Sequence, residues 1–342
     1  MTGPVTDAAF RDVAHDPALL EQLLVSLGLV RPGEVQAVTP LTGGVSSTIL
    51  RVQLPDRAVC VKQALPKLKV AKDWHAPTSR VFAEMDWLKA AHAIVPDQVP
   101  QVIAEDRTHG VFVMEFLDGL TTWKDLLLQG EVDVGVGQAV ARALVRVHAA
   151  TAGDAAVAQR FDHDATFYAL RLEPYLVETA RVHADLAERL LALVHRTQAT
   201  HLALVHGDVS PKNIMLSARG PILLDAECAW YGDPAFDLAF LLNHALLKGA
   251  HRPQDVQRFD ALYGAIAGAY LAGVDWEPRE RFEQRCAELL PALLLARIDG
   301  KSPVEYLAEP ARVRVRQGAR ALLAEAPATL AALMQRWQQH RA

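Results

Sequence analysis

Cysteine and aromatic residues are scarce in this 342-residue chain, and neither sign of charge is in large excess. The three cysteines, Cys60, Cys228 and Cys286, stand far apart and in no metal-ligand spacing. That excludes a disulfide framework and a structural zinc site, and it suits reduced thiols in a cytoplasmic protein. A net charge of only −5 gives no basic excess for neutralising nucleic-acid phosphates, so no nucleic-acid partner is expected. No apolar run approaches the ~18 residues that cross a bilayer; AELLPALLLARI is too short and holds Pro291. The opening MTGPVTDAAFRDVAHD has early acidic residues and no apolar core, unlike a secretory signal. Neither an internal repeat nor a low-complexity tract is present. What remains is 51% hydrophobic and 22% charged, long enough for two lobes with cores of their own.

The informative stretch is Leu204 to Leu238, LVHGDVSPKNIMLSARGPILLDAECAWYGDPAFDL. A polar turn, His206 to Asn213, is followed by a short apolar run, a turn through Gly220-Pro221, and a second run ending on Asp225. Two short strands so joined bring Asp208, Asn213 and Asp225 to one end of a hairpin. The set offers a carboxylate for a hydroxyl proton, and an amide oxygen with a second carboxylate for a hard cation such as Mg2+. Phosphoryl transfer asks a protein mainly for such positioning and charge neutralisation. Asp208 precedes Asn213 by five residues, and Asp225 follows twelve later, the order of catalytic Asp, metal-binding Asn and metal-binding Asp in kinases.

These residues resemble the aminoglycoside phosphotransferase and choline kinase superfamily, small-molecule kinases with a protein-kinase-like fold. HGDVSPKN is similar to its catalytic loop, and LLDAE followed by GDPAFDLA to its metal strand and next helix. The resemblance implies a bilobal α+β chain: residues 1–117 as a nucleotide-binding lobe built on an antiparallel sheet, and 118–342 as a larger, mainly helical lobe. It implies transfer from ATP, with GTP as the alternative donor, to a small-molecule hydroxyl. Asp208 is then the base, Asn213 and Asp225 hold magnesium, and Glu227 is the candidate for a second metal or its water. Asp237 is expected to brace the loop backbone, and His206 to orient the loop rather than move protons. The chain departs from protein kinases at Ser210, where they usually carry lysine, and at Asp225-Ala226-Glu227 in place of Asp-Phe-Gly. A protein kinase is disfavoured because Asp225 and Asp237 are only 12 apart, too close for a peptide-binding activation segment. A non-catalytic nucleotide-binding module is disfavoured because Lys62, Asp208, Asn213 and Asp225 are all present.

In chain order, Asp16 and Pro17 predict the start of a leading helix with leucines at 19, 20, 23, 24 and 27. Glu34–Leu41, Val45–Leu54 and Arg57–Gln63 read as strands. Gly43 and Gly44, with Ser46 and Ser47, form a turn that reads either as a plain hairpin or as a phosphate-binding loop. Lys62 in the third strand, by its place after that turn, is expected to serve the α- and β-phosphates. Glu84 on the helix over 78–93 is its expected partner, with Asp86 as the alternative. The basic linker over 65–77, with Lys67, Lys69 and Lys72, reads as a solvated loop or a flap near the phosphates. Strands at Val102–Glu105 and Val111–Phe116 lead to Glu115 and Phe116, which the resemblance makes the adenine-contacting hinge.

Beyond the hinge the pattern is helical: 120–128, 133–150, a pair over 164–197 broken at Pro174, and helices from Pro234 onward. His148 is expected to be structural. Lys212, beside Asn213, reads as an exposed loop lysine or a contact for phosphate or an anionic substrate. Arg297, Asp299 and Lys301 close a helix; they cap and pair with one another, or they read an acidic or phosphorylated acceptor. No predicted helix gathers aromatics and acids into a cage for a quaternary cation. The C-terminal helices lack the acidic excess a strongly cationic aminoglycoside would want.

Overall fold

The computed structural model describes residues 10–41, 47–65 and 80–341. Gly43, Gly44 and Ser46 of the glycine turn, and the basic linker beyond Leu65, lie outside the described residues. The chain divides into two compact units, Met1–Gly119 and Leu120–Ala342.

In the first unit, helix α1 (Pro17–Ser26) starts as its sequence predicts. Asp16 accepts the Leu19 N–H at 3.0 Å, and Pro17 sits where no amide hydrogen is needed. Five antiparallel strands follow: β1 (Ala37–Pro40), β2 (Ser47–Gln53), β3 (Ala58–Ala64), β4 (Val102–Asp106) and β5 (Val111–Glu115), in the order β1-β2-β3-β5-β4. The α1 leucines join Leu50, Val52, Val59, Val61, Val111 and Val113 in one core. Strand side chains alternate, so turning Val59 and Val61 toward that core sends Cys60 and Lys62 to the opposite face. There Lys62 meets helix α2 (Arg80–Ile94).

The second unit opens with strand β6 (Thr121–Thr122), which pairs with residues 215 and 216. The predicted helix therefore starts later, as α3 (Trp123–Gln129), capped by Thr122. Asp133 caps α4 (Val134–Thr151), and the short α5 (Ala155–Arg160) and α6 (Asp164–Phe167) follow. The break expected at Pro174 does not occur. From Tyr168 to Val177 the chain winds as a π-helix with Pro174 inside, continues as α7 (Glu178–Val182), and breaks only at His183. In this wider turn the bonds skip the i−4 carbonyl that proline would strike, so the missing donor is tolerated. After α8 (Ala187–Gln198), strand β7 (Ala203–Val205) leads to the hairpin of β8 (Ile214–Ser217) and β9 (Gly220–Leu223). Strand β10 (Trp230–Gly232) returns to pair with β7, with Trp230 opposite Val205. The segment between them thus begins and ends at one place. The remaining helices are α9 (Ala235–His251), α10 (Val256–Leu271), α11 (Arg279–Asp299), α12 (Glu309–Ala324) and α13 (Leu330–Arg341). Helix α9 is buried over Ala235–Gly249 and lies against α10 and α11. Among the described residues no helix is long and apolar enough to cross a membrane. The architecture is α+β, a sheet-based unit and a mainly helical one, as the sequence implies.

Candidate active site

In the first unit, Lys62 Nζ donates to Glu84 Oε1 at 2.7 Å, with both side chains nearly inaccessible (4% and 3%). Asp86, the alternative partner, is held instead by Arg107 at 2.8 Å. Ser47 begins β2 and is buried opposite Ala64. At the end of β5 the Glu115 N–H donates to the Gln101 carbonyl at 2.9 Å, and the Phe116 ring lies beneath the Arg51 guanidinium, 5.1 Å away.

In the second unit the polar turn is hung from Asp237, whose side chain is wholly buried. Asp237 Oδ2 accepts the His206 N–H at 2.7 Å, and Oδ1 accepts the Gly207 N–H at 2.9 Å. His148 Nε2 donates to Oδ2 at 3.2 Å, with the Tyr270 hydroxyl on its other nitrogen. Both the bracing Asp237 and the structural His148 thus stand where the sequence puts them. Gly207 has φ +77°, and a Cβ there would meet the Cys228 carbonyl oxygen at 2.5 Å. Gly207→Ala is therefore expected to lower stability by at least ~2 kcal/mol through strain and backbone overlap, measurable by urea unfolding.

Burial holds the His206 imidazole below its ordinary pKa, although Asp237, Asp208 and Asp225 act to raise it. The neutral ring accepts the Asp208 N–H on Nδ1 at 3.2 Å and donates from Nε2 to the Leu224 carbonyl at 3.1 Å. It fixes the loop, in keeping with an orienting role. Asn213 gives its amide hydrogens to the Asp208 carbonyl (3.0 Å) and to Asp208 Oδ2 (2.9 Å), which leaves its Oδ1 for another partner. Asp225, just past β9, is the one described non-glycine residue with positive φ, at +64°. Aspartate is among the side chains that tolerate this conformation best. Among the described residues no three Asp, Glu, His or Cys side chains gather closely enough to hold a metal alone. The donors present, Asn213 Oδ1 with the Asp225 and Glu227 carboxylates, are hard oxygens. They fit magnesium, which takes few protein ligands and fills its shell with water and phosphate.

Sequence reasoning missed Arg171. It lies on the π-helix, donates from Nε to the Gly207 carbonyl at 2.6 Å, and pairs with Asp208 Oδ2 at 2.9 Å. Burial alone would raise the Asp208 pKa; Arg171, and Lys212 at 3.3 Å, outweigh it and hold the carboxyl below its ordinary range. No motif spacing marks Arg171, because it reaches the loop only through the tertiary fold. The one available signal was an arginine inside an otherwise apolar helical stretch.

Asp208 forms part of the wall of a cavity of about 220 Å3 within this unit. Ser210 and Lys212 line it from the loop, Lys124 from α3, Tyr175 from the π-helix, and Phe240, His244 and Lys248 from α9. Arg297, Ser302, Pro303, Glu305 and Tyr306 also line it. The expected cluster at the end of α11 is split. Arg297 reaches the cavity, but Asp299 is turned away to His183 and Arg316 (2.9 and 2.7 Å) and Lys301 to Glu173 (2.7 Å). The three do not pair with one another, and only Arg297 of the three lines the cavity. Arg297 and Asp299, two apart on α11, face different ways, and Lys301 lies beyond the end of that helix.

The sequence model of the phosphotransferase enzyme family matches residues 37–282. A methylthioribose kinase of Geobacillus thermodenitrificans is 28% identical over 290 residues, 73% of this chain and 71% of that one. Among solved structures, an ethanolamine kinase of Plasmodium vivax matches with a TM-score of 0.56 at 13% identity, covering 93% of this chain and 92% of that one. An amicoumacin kinase solved with AMP-PNP and calcium matches with a TM-score of 0.55 at 15% identity, covering 91% and 95%.

Proposed function

Because the chain belongs to the phosphotransferase enzyme family, we propose that it transfers the γ-phosphoryl group of ATP to a hydroxyl of a small molecule. The observation that carries this reading is Asp208: a carboxylate kept ionised by Arg171 and Lys212, held in place by Asn213, and lining an open cavity. An acceptor hydroxyl in that cavity donates its hydrogen bond to Asp208, which aligns the oxygen and takes its proton as the bond to the γ-phosphorus forms and the bond from that phosphorus to the departing ADP breaks. Ser210 Oγ, buried and without a hydrogen-bond partner among the described residues, is a further group the acceptor can use. Asn213 and Asp225, with Glu227 beside them, would hold magnesium, which supplies charge neutralisation on the phosphates. Lys62, positioned by Glu84, binds the α- and β-phosphates, and the glycine turn with Ser46 and Ser47 and the hinge at Glu115 and Phe116 complete the nucleotide site.

The test is ADP release from Mg-ATP across sugars, amino alcohols, hydroxy acids and sugar phosphates. Stimulation by one acceptor class supports the reading, and failure to bind Mg-ATP at all overturns it. Lys62→Met is expected to raise the KM for ATP by at least about tenfold, the loss of one charged hydrogen bond, with the acceptor KM unmoved. It also strips a buried carboxylate of its ammonium, so the melting temperature should fall. Lys62→Met/Glu84→Leu should regain much of that stability without regaining nucleotide affinity.

A further inference from the structure

We propose that the acceptor carries an oxyanion, a carboxylate or a phosphate group, which docks between Lys248 and Arg297 while its hydroxyl faces Asp208. The inference rests on the kinase reading above and deepens it. Phe240, His244 and Lys248 are spaced four apart on α9 and present one face to the cavity. Lys248 is 1% exposed. Among the described residues no carboxylate lies within ion-pair distance of it; its ammonium stands over the Tyr306 ring, 5.0 Å from the centroid. Four cations line the cavity, Lys124, Lys212, Lys248 and Arg297, against two anions, Asp208 and Glu305. Each anion already holds a cation: Asp208 holds Lys212 at 3.3 Å, and Glu305 holds Lys124 at 2.5 Å.

Lys248 and Arg297 are left over. Arg297 spends NH1 on the Ser302 carbonyl and hydroxyl and on the Tyr175 hydroxyl, but its buried Nε has no hydrogen-bond partner among the described residues. Both ring nitrogens of His244 and the Tyr306 hydroxyl are buried and, among the described residues, also without a hydrogen-bond partner. A buried ammonium without a counterion is expensive to keep. Burial first, then Lys124 and Arg297, push the Lys248 pKa down to about 7. An oxyanion supplies the missing charge, and His244 and Tyr306 are free to bond its other polar atoms. An amino alcohol would bring a further cation to two that are already unneutralised, and a neutral sugar would leave Lys248 unpaired.

Lys248→Met, with Arg297→Met as the second variant and Lys248→Arg as the charge-retaining one, tests this. The probes are ribose, ribonate, ribose 5-phosphate and ethanolamine as acceptors, and inorganic phosphate and malonate as nucleotide-free ligands read by thermal shift. The expected result is turnover of ribonate or ribose 5-phosphate, with the preferred one naming the oxyanion. Lys248→Met should raise the acceptor KM at least about tenfold, Lys248→Arg should restore part of it, and the KM for ATP should not move. Without ligand, Lys248→Met should melt higher than the parent. That gain should be largest below pH 7, where the folded ammonium is charged, and should shrink as pH rises toward 10.

For ribonate, whose charge is constant over this range, the KM should rise by up to about tenfold per pH unit above 7 as Lys248 loses its proton, and should stay flat in Lys248→Met. Of the other groups around Lys248, burial keeps His244 and His251 below the usual histidine value and Tyr306 above the usual phenol value, while Lys124, Arg297 and Glu305 supply the remaining charges. Equal or better turnover of ribose or ethanolamine, unaffected by Lys248→Met, would overturn the inference and leave the kinase reading standing. If no acceptor is turned over, the nucleotide-free ligands decide. Protection by phosphate or malonate that is lost in Lys248→Met supports the anion site, and absence of protection overturns it. Mg-ATP binding, measured separately, reports on the kinase reading alone.

Discussion

Changing Asp208 to Asn is expected to lower kcat by about 10²- to 10⁴-fold, the range of a positioned general base, while Mg-ATP still binds. The substitution keeps the shape of the side chain and one acceptor oxygen, so Arg171 and Asn213 retain partners. What disappears is the charge that attracts the acceptor's hydroxyl proton. Phosphoryl transfer through a loose transition state depends on alignment as much as on proton removal, so residual activity should persist, and Asp208→Ala should fall further because it loses alignment as well. Arg171 gives the effect a second signature. Its guanidinium is buried against Asp208, so Asp208→Asn should also lower the melting temperature, as happens when one partner of a buried ion pair is removed. A variant with kcat within a factor of ten of the parent would remove Asp208 from the chemistry.

Much of this site was legible because its parts are close in sequence. Asp208, Asn213 and Asp225 occupy one loop and one hairpin, where spacing along the chain largely sets spacing in space; the β8–β9 register, with Ile214 opposite Leu223, carries the pattern through. Lys62 and Glu84 are 22 residues apart, but a strand and the next helix fix their meeting. The cavity beside Asp208 behaves differently. Its wall draws one residue each from α3, the π-helix and α11 and three from α9, and each comes from an element whose pattern announces only a helix. Lys248 left a faint mark as a lysine closing an apolar helix, yet an exposed C-terminal lysine reads the same way. Arg297, Asp299 and Lys301 looked like one cluster because they are near in sequence, but Arg297 and Asp299 face different ways from α11 and Lys301 lies past its end, so each finds a different partner. Pro174 misled for a related reason: proline forbids an ordinary α-turn, but it does not forbid the wider π-turn that sets Arg171 against the loop.

Asp237→Ala is expected to cause the other large loss, and for a reason unrelated to reactants. Asp237 is buried, and its two oxygens take the backbone amides of His206 and Gly207 together with His148 Nε2. Removing the carboxylate strands those donors away from water, at ~1–3 kcal/mol for each one left unsatisfied, a large part of the stability of an ordinary domain. The backbone it releases is the one that carries Asp208. Both the urea midpoint and kcat should therefore fall, whereas Asp208→Asn should reduce kcat far more than stability. Asp237→Asn separates the contributions further. Its amide oxygen can serve one backbone N–H, but its NH2 faces the other, so the variant should lie between the parent and Asp237→Ala in both measurements. Parental stability and kcat in Asp237→Ala would show that the turn is held by β7, β10 and the Arg171 bond to Gly207 without help from α9.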